Sequence, residues 1–235
     1  MELAAARSAT GRLSDVDSGG RGLFVAVEGP TGVGKTTLVN RLSQPMDAKP
    51  FLDRFEANPF LERLYAARTP QEADAFGLLA ELTFVALRVV QLREIHTQLA
   101  AGAHVLADWA MVKHAAFAAA TLDPADRDRV ARTCALWASD VPSPDLVIHL
   151  RADPATLLSR VAGRGREMER GLTEAYFSTL SAAFDSVLPA WGAPVLTVDA
   201  ASLDVFNESA VARLADQVFQ LLDGRGDRLW SALNP

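Results

Sequence analysis

Positions 29–37 read Gly-Pro-Thr-Gly-Val-Gly-Lys-Thr-Thr, three glycines followed by a lysine and two hydroxyls. That order suits the holding of a polyphosphate. It matches the Walker A pattern in the required context, an apolar strand before it and a helix after it. Glycines let the backbone curl until several N–H groups point inward, and the helix N-terminus adds its positive dipole end. Gly29, Thr31, Gly32, Val33 and Gly34 are expected to cradle the phosphates. Lys35 is expected to bridge the β- and γ-phosphates, Thr36 to hold Mg²⁺ through its hydroxyl, and Thr37 to contact the α-phosphate.

This cradle alone does not separate a metabolite kinase from a regulatory GTPase or a mechanical ATPase, which all use it. No Asn-Lys-x-Asp guanine-recognition sequence occurs in the chain, and Asp74-Ala-Phe-Gly77 matches a switch pattern only from inside a helical segment. Both observations weaken the GTPase reading. Arg160, Arg164 and Arg166, with glycines at 163 and 165 between them, cluster at a helix end. Phosphoryl transfer needs cations around the equatorial oxygens, and a glycine-hinged lid delivers them while expelling water. Taken alone, the same cluster also fits a basic helix end that favours the dipole.

The elements that position these residues follow from hydrophobic pattern. Runs at 24–28, 104–108, 146–150 and 195–199 read as buried strands, with a further strand near 48–52. Helix-length segments separate them, which implies right-handed crossovers and a parallel sheet covered on both faces, a doubly wound α/β fold. Residues 71–99, apolar and without proline, read as one long helix. Asp123-Pro124 and Asp153-Pro154 each pair an N-cap with proline at the first helical position. Residues 140–144, 163–171 and 199–206 read as loops, the last two placed to close over a ligand.

Composition bounds the partners. With 235 residues and 49% hydrophobic content, one sizeable core is expected. Residues 1–22 mix charges and end in glycines, which reads as a flexible tail before a single domain over 23–235. A net charge of −6 argues against polymeric nucleic acid as the partner. The single cysteine, Cys134, and the lack of zinc-ligand spacing fit a reducing, cytoplasmic setting. No run reaches the roughly 18 uninterrupted apolar residues of a membrane span, so no membrane is expected.

Four blocks, in order, resemble the deoxynucleoside kinases, in particular their bacterial deoxyguanosine/deoxyadenosine branch: residues 27–37, 58–65 (Asn-Pro-Phe-Leu-Glu-Arg-Leu-Tyr), 107–113 (Ala-Asp-Trp-Ala-Met-Val-Lys), and 164–169 (Arg-Gly-Arg-Glu-Met-Glu) followed by Tyr176. The resemblance spans residues 24–206. It implies a five-stranded parallel sheet of the P-loop nucleoside/nucleotide kinase type with an arginine lid, ATP and Mg²⁺ as cofactors, a deoxynucleoside acceptor, and a homodimer.

Residue by residue, the resemblance makes Asp53 the general base on the acceptor's 5′-hydroxyl, in a place where relatives usually carry glutamate. Aspartate is one methylene shorter, which leaves Glu56 as an alternative. Asp108, closing a strand where ligands collect in such folds, matches the acid near Mg²⁺ and the acceptor hydroxyl. Many relatives follow it with arginine, whereas this chain has Trp109, and Lys113 becomes a candidate cation. Tyr65 and Glu169 match positions that bond the deoxyribose 3′-hydroxyl. Asp204 and Phe206, in the loop 199–206, match the segment that packs on the adenine of ATP.

Glu81 and Arg88 match the base-reading pair, and their spacing of seven puts them on one helix face. A carboxylate only accepts, which suits the guanine N1–H and 2-amino donors, and arginine supplies donors for O6 and N7. Deoxyguanosine is therefore expected over deoxyadenosine. Two other readings stay open at this stage. One is a nucleoside monophosphate kinase of thymidylate-kinase type, which needs more cations near Asp53 and Tyr65. The other is a non-catalytic nucleotide-binding regulatory protein.

Overall fold

The computed structural model describes residues 20–233. Most of the expected tail, residues 1–19, lies outside the described residues. Its last part belongs to the body: the Gly22 N–H donates to the Leu99 carbonyl at 2.8 Å, and Arg21 pairs with Asp145 at 2.5 Å.

Five strands, β1 (Phe24–Glu28), β2 (Ala48–Phe51), β3 (His104–Ala107), β4 (Leu146–Arg151) and β5 (Val195–Asp199), form one sheet in the order β2-β3-β1-β4-β5. Every pairing is parallel. The central strand β1 is buried along its whole length, which is why it reads as a continuous apolar run closed by a carboxylate. β2 carries Pro50, a residue confined to sheet edges because it cannot donate to a ladder, and β2 is an edge strand.

Eight helices cover the two faces among the described residues: α1 (Lys35–Leu42), α2 (Leu61–Tyr65), α3 (Pro70–Ala100), α4 (Val112–Thr121), α5 (Pro124–Ala135), α6 (Pro154–Arg164), α7 (Glu174–Val187) and α8 (Glu208–Leu233). Leu38, Leu42, Leu157 and Val218 pack with Val25, Val27 and Ile148 on one face. Val85, Leu92, Ile95, Val112 and Phe184 pack with Phe24, Ala26 and Val147 on the other. The long helix α3 starts at Pro70, after the Thr69 side chain accepts the Glu72 N–H. By length and composition alone α3 could cross a membrane, yet Glu81, Arg88 and Gln91 lie among its buried residues, beside Val85, Leu92 and Ile95. Asp123 and Asp153 cap α5 and α6 as expected.

β4 runs one residue further than the sequence reading, to Arg151, α3 one residue further at each end, and three other boundaries differ in ways that bear on the site. The third strand stops at Ala107, and Asp108 follows just beyond it, its N–H donating to the Phe51 carbonyl of β2 at 3.2 Å. The segment 163–171 is not all loop: Gly163 and Arg164 complete α6, Gly165 ends it with φ 73°, and Glu167–Glu169 forms a 3-10 turn. Leu52 lies beyond the end of β2.

Candidate active site

The C-terminal ends of β1, β2 and β3 open onto a cavity of about 540 Å³, bordered by the P-loop, the segment after β2, α2, α3, α4 and the lid after α6. Its donor end is shaped by backbone. Gly29 has φ 141°, and a Cβ there would lie 2.4 Å from the Leu150 carbonyl oxygen. Gly32 has φ 84°, and a Cβ there would lie 2.7 Å from Val161 Cγ2. Only glycine satisfies both the left-handed backbone and the closeness of β4 and α6. Val33 is buried beneath the loop, and Gly34 leads into α1.

Lys35 Nζ donates to the Gly29 and Pro30 carbonyls at 2.8 and 2.9 Å. Burial and the neighbouring Lys113 lower its pKa to about 7, with Glu28 acting in the opposite sense. Thr31 lines the cavity, and Thr37 is exposed on the first turn of α1. The Thr36 hydroxyl donates to Asp108 Oδ2, and Asp108 Oδ1 accepts the Asp53 N–H at 2.7 Å. A hydroxyl and a carboxylate in contact at the mouth of the cradle are the hard oxygen donors that Mg²⁺ takes when it keeps most of its waters.

Asp53 Oδ2 accepts from Arg88 and from Lys113, each at 2.7 Å. Burial alone would raise its pKa, but the two cations more than offset that and hold the carboxyl well below the usual range. Glu56, in the 3-10 turn Phe55–Ala57, stands exposed on the rim. Asn58 acts on the scaffold instead, its amide donating to the Ala80 carbonyl at 2.9 Å and fastening this segment to α3.

At the inner end, Glu81 and Arg88 share the buried face of α3, as their spacing predicts. Phe84 and Phe117 line the same region and offer flat apolar surfaces. Arg88 donates to Asp53 and, at 3.4 Å, meets His114 Nε2, while His114 Nδ1 meets Glu81 Oε2 at 2.8 Å. Two of the five guanidinium N–H groups are thereby used.

The lid divides its three arginines. Arg164 donates to both oxygens of the buried Glu169 at 2.6 Å, and Arg166 lies 3.6 Å from Glu169 and stacks over Phe55 at 4.1 Å. Both line the cavity. Arg160, one turn earlier on α6, instead donates to the Val33 and Ala200 carbonyls at 3.1 Å, tying the P-loop to the segment after β5. Tyr65 lines the cavity beside Tyr176, and burial raises its pKa to about 12. Asp204 accepts the Phe206 N–H at 3.0 Å, and the exposed Phe206 ring carries Arg41 of α1 at 5.0 Å. These two sit outside the cavity, beside α1.

Sequence reasoning missed Glu28 and His114. Glu28 is fully buried, accepts the Ala110 N–H at 2.6 Å, and is pushed by burial up to about 7 against the pull of Lys113 and Lys35. Its signal was available: it is the one charge in an apolar strand, immediately before the P-loop. His114 gave none, being a lone histidine in an alanine-rich helix.

The deoxynucleoside kinase family model matches residues 25–223, nearly the whole described chain. The chain belongs to the deoxynucleoside kinase family. It is 32% identical over 206 residues to a deoxyguanosine kinase of Bacillus subtilis (strain 168), covering 85% of this chain and 97% of the relative. It is 26% identical over 209 residues to a deoxyadenosine/deoxycytidine kinase of the same organism, covering 85% and 93%. Among solved structures, deoxyadenosine kinase from M. mycoides with bound dATP superposes with a TM-score of 0.70 at 21% identity, over 83% of this chain and 98% of that one. That last likeness speaks to the fold. As a deoxynucleoside kinase, the protein is an ATP-dependent phosphotransferase, which sets aside the non-catalytic reading and the monophosphate-kinase reading.

Proposed function

We propose that this deoxynucleoside kinase passes the γ-phosphate of ATP to the 5′-hydroxyl of deoxyguanosine in preference to deoxyadenosine. The observation that carries this reading is Glu81, a buried carboxylate at the inner end of the cavity, flanked by Phe84 and Phe117. An ionised carboxylate only accepts hydrogen bonds, so it pairs with the guanine N1–H and 2-amino group and is repelled by the adenine N1 lone pair. The two N–H groups left on the terminal nitrogens of Arg88 suit O6 and N7, its Nε being fully buried. The named activity of the 32% identical relative supports the same choice.

In this reading the nucleoside lies with its base near Glu81, its 3′-hydroxyl against Tyr65 and Glu169, and its 5′-hydroxyl at Asp53. Asp53 takes the hydroxyl proton as the oxygen attacks the γ-phosphorus and the bond to the β–γ bridging oxygen breaks, leaving ADP. Arg88 and Lys113 keep Asp53 ionised and oriented. Lys35, Arg164 and Arg166 neutralise charge on the transferring group, while Arg160 keeps the cradle in place. Thr36 and Asp108 would hold Mg²⁺, which supplies further charge neutralisation when bound. Asp204 and Phe206 would meet the adenine of ATP beside α1. We assign the protein to the cytoplasm, and the exposed apolar residues Leu79 and Val90 of α3 favour a homodimer.

The test is ATP-dependent phosphorylation of the four deoxynucleosides by the wild type and by Glu81→Gln. Deoxyguanosine should be the best acceptor, and the variant should shift toward deoxyadenosine, because an amide both donates and accepts. A wild type that favours deoxyadenosine or a pyrimidine overturns the guanine preference.

A further inference from the structure

His114 is 1% exposed and does not line the cavity, yet it touches both residues assigned to the nucleobase. Its two ring nitrogens face groups of opposite character. Nδ1 lies 2.8 Å from Glu81 Oε2, an oxygen that only accepts when ionised. Nε2 lies 3.4 Å from Arg88 Nη1, a nitrogen that only donates. One proton arrangement satisfies both contacts: a neutral imidazole with its hydrogen on Nδ1 and its lone pair on Nε2. A second proton on Nε2 would point a donor at a donor. Burial, which lowers the His114 pKa, acts the same way, as do the Arg88 and Lys113 cations, while Glu81 opposes them.

Phe84 and Phe117 give the inner end of the cavity shape but no polarity, so the side chain of Glu81 must be held in one orientation for its free oxygen to select between purines. α3 alone does not supply that hold, because Glu81 has no hydrogen-bond partner among the described residues other than His114.

We infer that His114 is a specificity-positioning residue: by donating from Nδ1 to Glu81 and accepting at Nε2 from Arg88, it fixes the pair in the orientation that favours guanine over adenine. The inference rests on the guanine reading of the cavity and assigns it a determinant that never touches the nucleoside. Removing the donor lets Glu81 rotate away from the guanine N1–H and 2-amino group, which costs the guanine complex a pairing that the adenine complex never had. The consequence falls on the choice between purines more than on transfer to either.

The experiment measures kcat/KM for deoxyguanosine and deoxyadenosine with the wild type, His114→Leu, His114→Asn and His114→Gln, after ATP binding and a melting curve have established that each variant is folded. His114→Leu should lower the guanine-to-adenine ratio by about tenfold, the worth of one buried hydrogen bond to a charged group, chiefly through KM for deoxyguanosine. Asparagine places an amide N–H near the position of Nδ1 and should restore most of the ratio. Glutamine reaches the position of Nε2 instead and should not. If leucine prevents folding, the contrast between asparagine and glutamine carries the test by itself. A ratio unmoved by leucine, with both substrates slowed alike, overturns the role of His114, as does an asparagine variant no better than glutamine. The wild-type ratio separately tests the guanine reading, so a wild type that prefers deoxyadenosine sinks that reading alone.

Discussion

The two ends of the cavity are built in opposite ways. The donor end is a contiguous stretch, residues 29–37, whose shape is dictated by backbone: Gly29 and Gly32 sit where a Cβ would meet β4 or α6. The acceptor end is assembled from side chains of α3, α4, the segment after β2 and the lid, elements far apart in the chain. Glu81, His114, Arg88 and Asp53 form one hydrogen-bonded series there, with Lys113 on its last member. A local cradle tolerates no change of shape, whereas a distributed pocket tolerates changes of shape and is sensitive to changes of proton and charge.

The sharpest way to break this contrast is at the donor end. Gly32→Ala and Lys35→Ala should each lower kcat by about a thousandfold or more, measured as ADP formation at saturating nucleoside, the first by distorting the loop and the second by removing a charge from the transferring group. At the acceptor end Asp53→Asn keeps size and removes the base. A loss of about a hundredfold in kcat, with KM for the nucleoside moved much less, is expected. If Asp53→Asn instead left kcat intact, Glu56 would be the base.

A smaller effect separates the site from the scaffold. Burial lowers the pKa of His149 from 6.5 to about 4, opposed by Asp185 and aided by Arg151. The folded state therefore favours the neutral ring, and between those two pH values the unfolded chain binds the extra proton. Stability attributable to this group is present above about pH 6.5 and is lost as pH falls toward 4, by up to roughly 3 kcal/mol. His149→Phe, which keeps the stacking on Phe184, should flatten the melting temperature over that range while leaving nucleoside choice alone. The smallest effect belongs to Glu56→Gln: an exposed side chain with no hydrogen-bond partner among the described residues should change kcat/KM by no more than about twofold.

The same contrast explains what is legible in the sequence. Strand positions and the cradle depend on short-range pattern, and the sequence reading places them to within a residue or two. Glu81 and Arg88 are recognisable as neighbours because helical spacing alone brings them to one face. Proximity in the chain groups Arg160 with Arg164 and Arg166, but the continuation of α6 through Arg164 turns Arg160 toward Val33 and Ala200. His114 is invisible at that level, because only the packing of α4 against α3 gives its ring nitrogens partners. Tertiary juxtaposition of this kind leaves no periodic trace.

The hydrogen-bonded series also runs on past Asp53, through its N–H to Asp108 and from there to Thr36. Arg88 is thus the residue of the base pocket that also touches Asp53, so retuning the pocket through Arg88 perturbs the reactive end, whereas a change at Glu81 or His114 falls mainly on the choice of base. A lineage drifting toward a new nucleoside by way of Arg88 would pass through sluggish ancestors unless a second change arrived with the first. Broad acceptance in such a scaffold is easier to reach by loosening the aromatic walls at Phe84 and Phe117 than by rewriting its polar series.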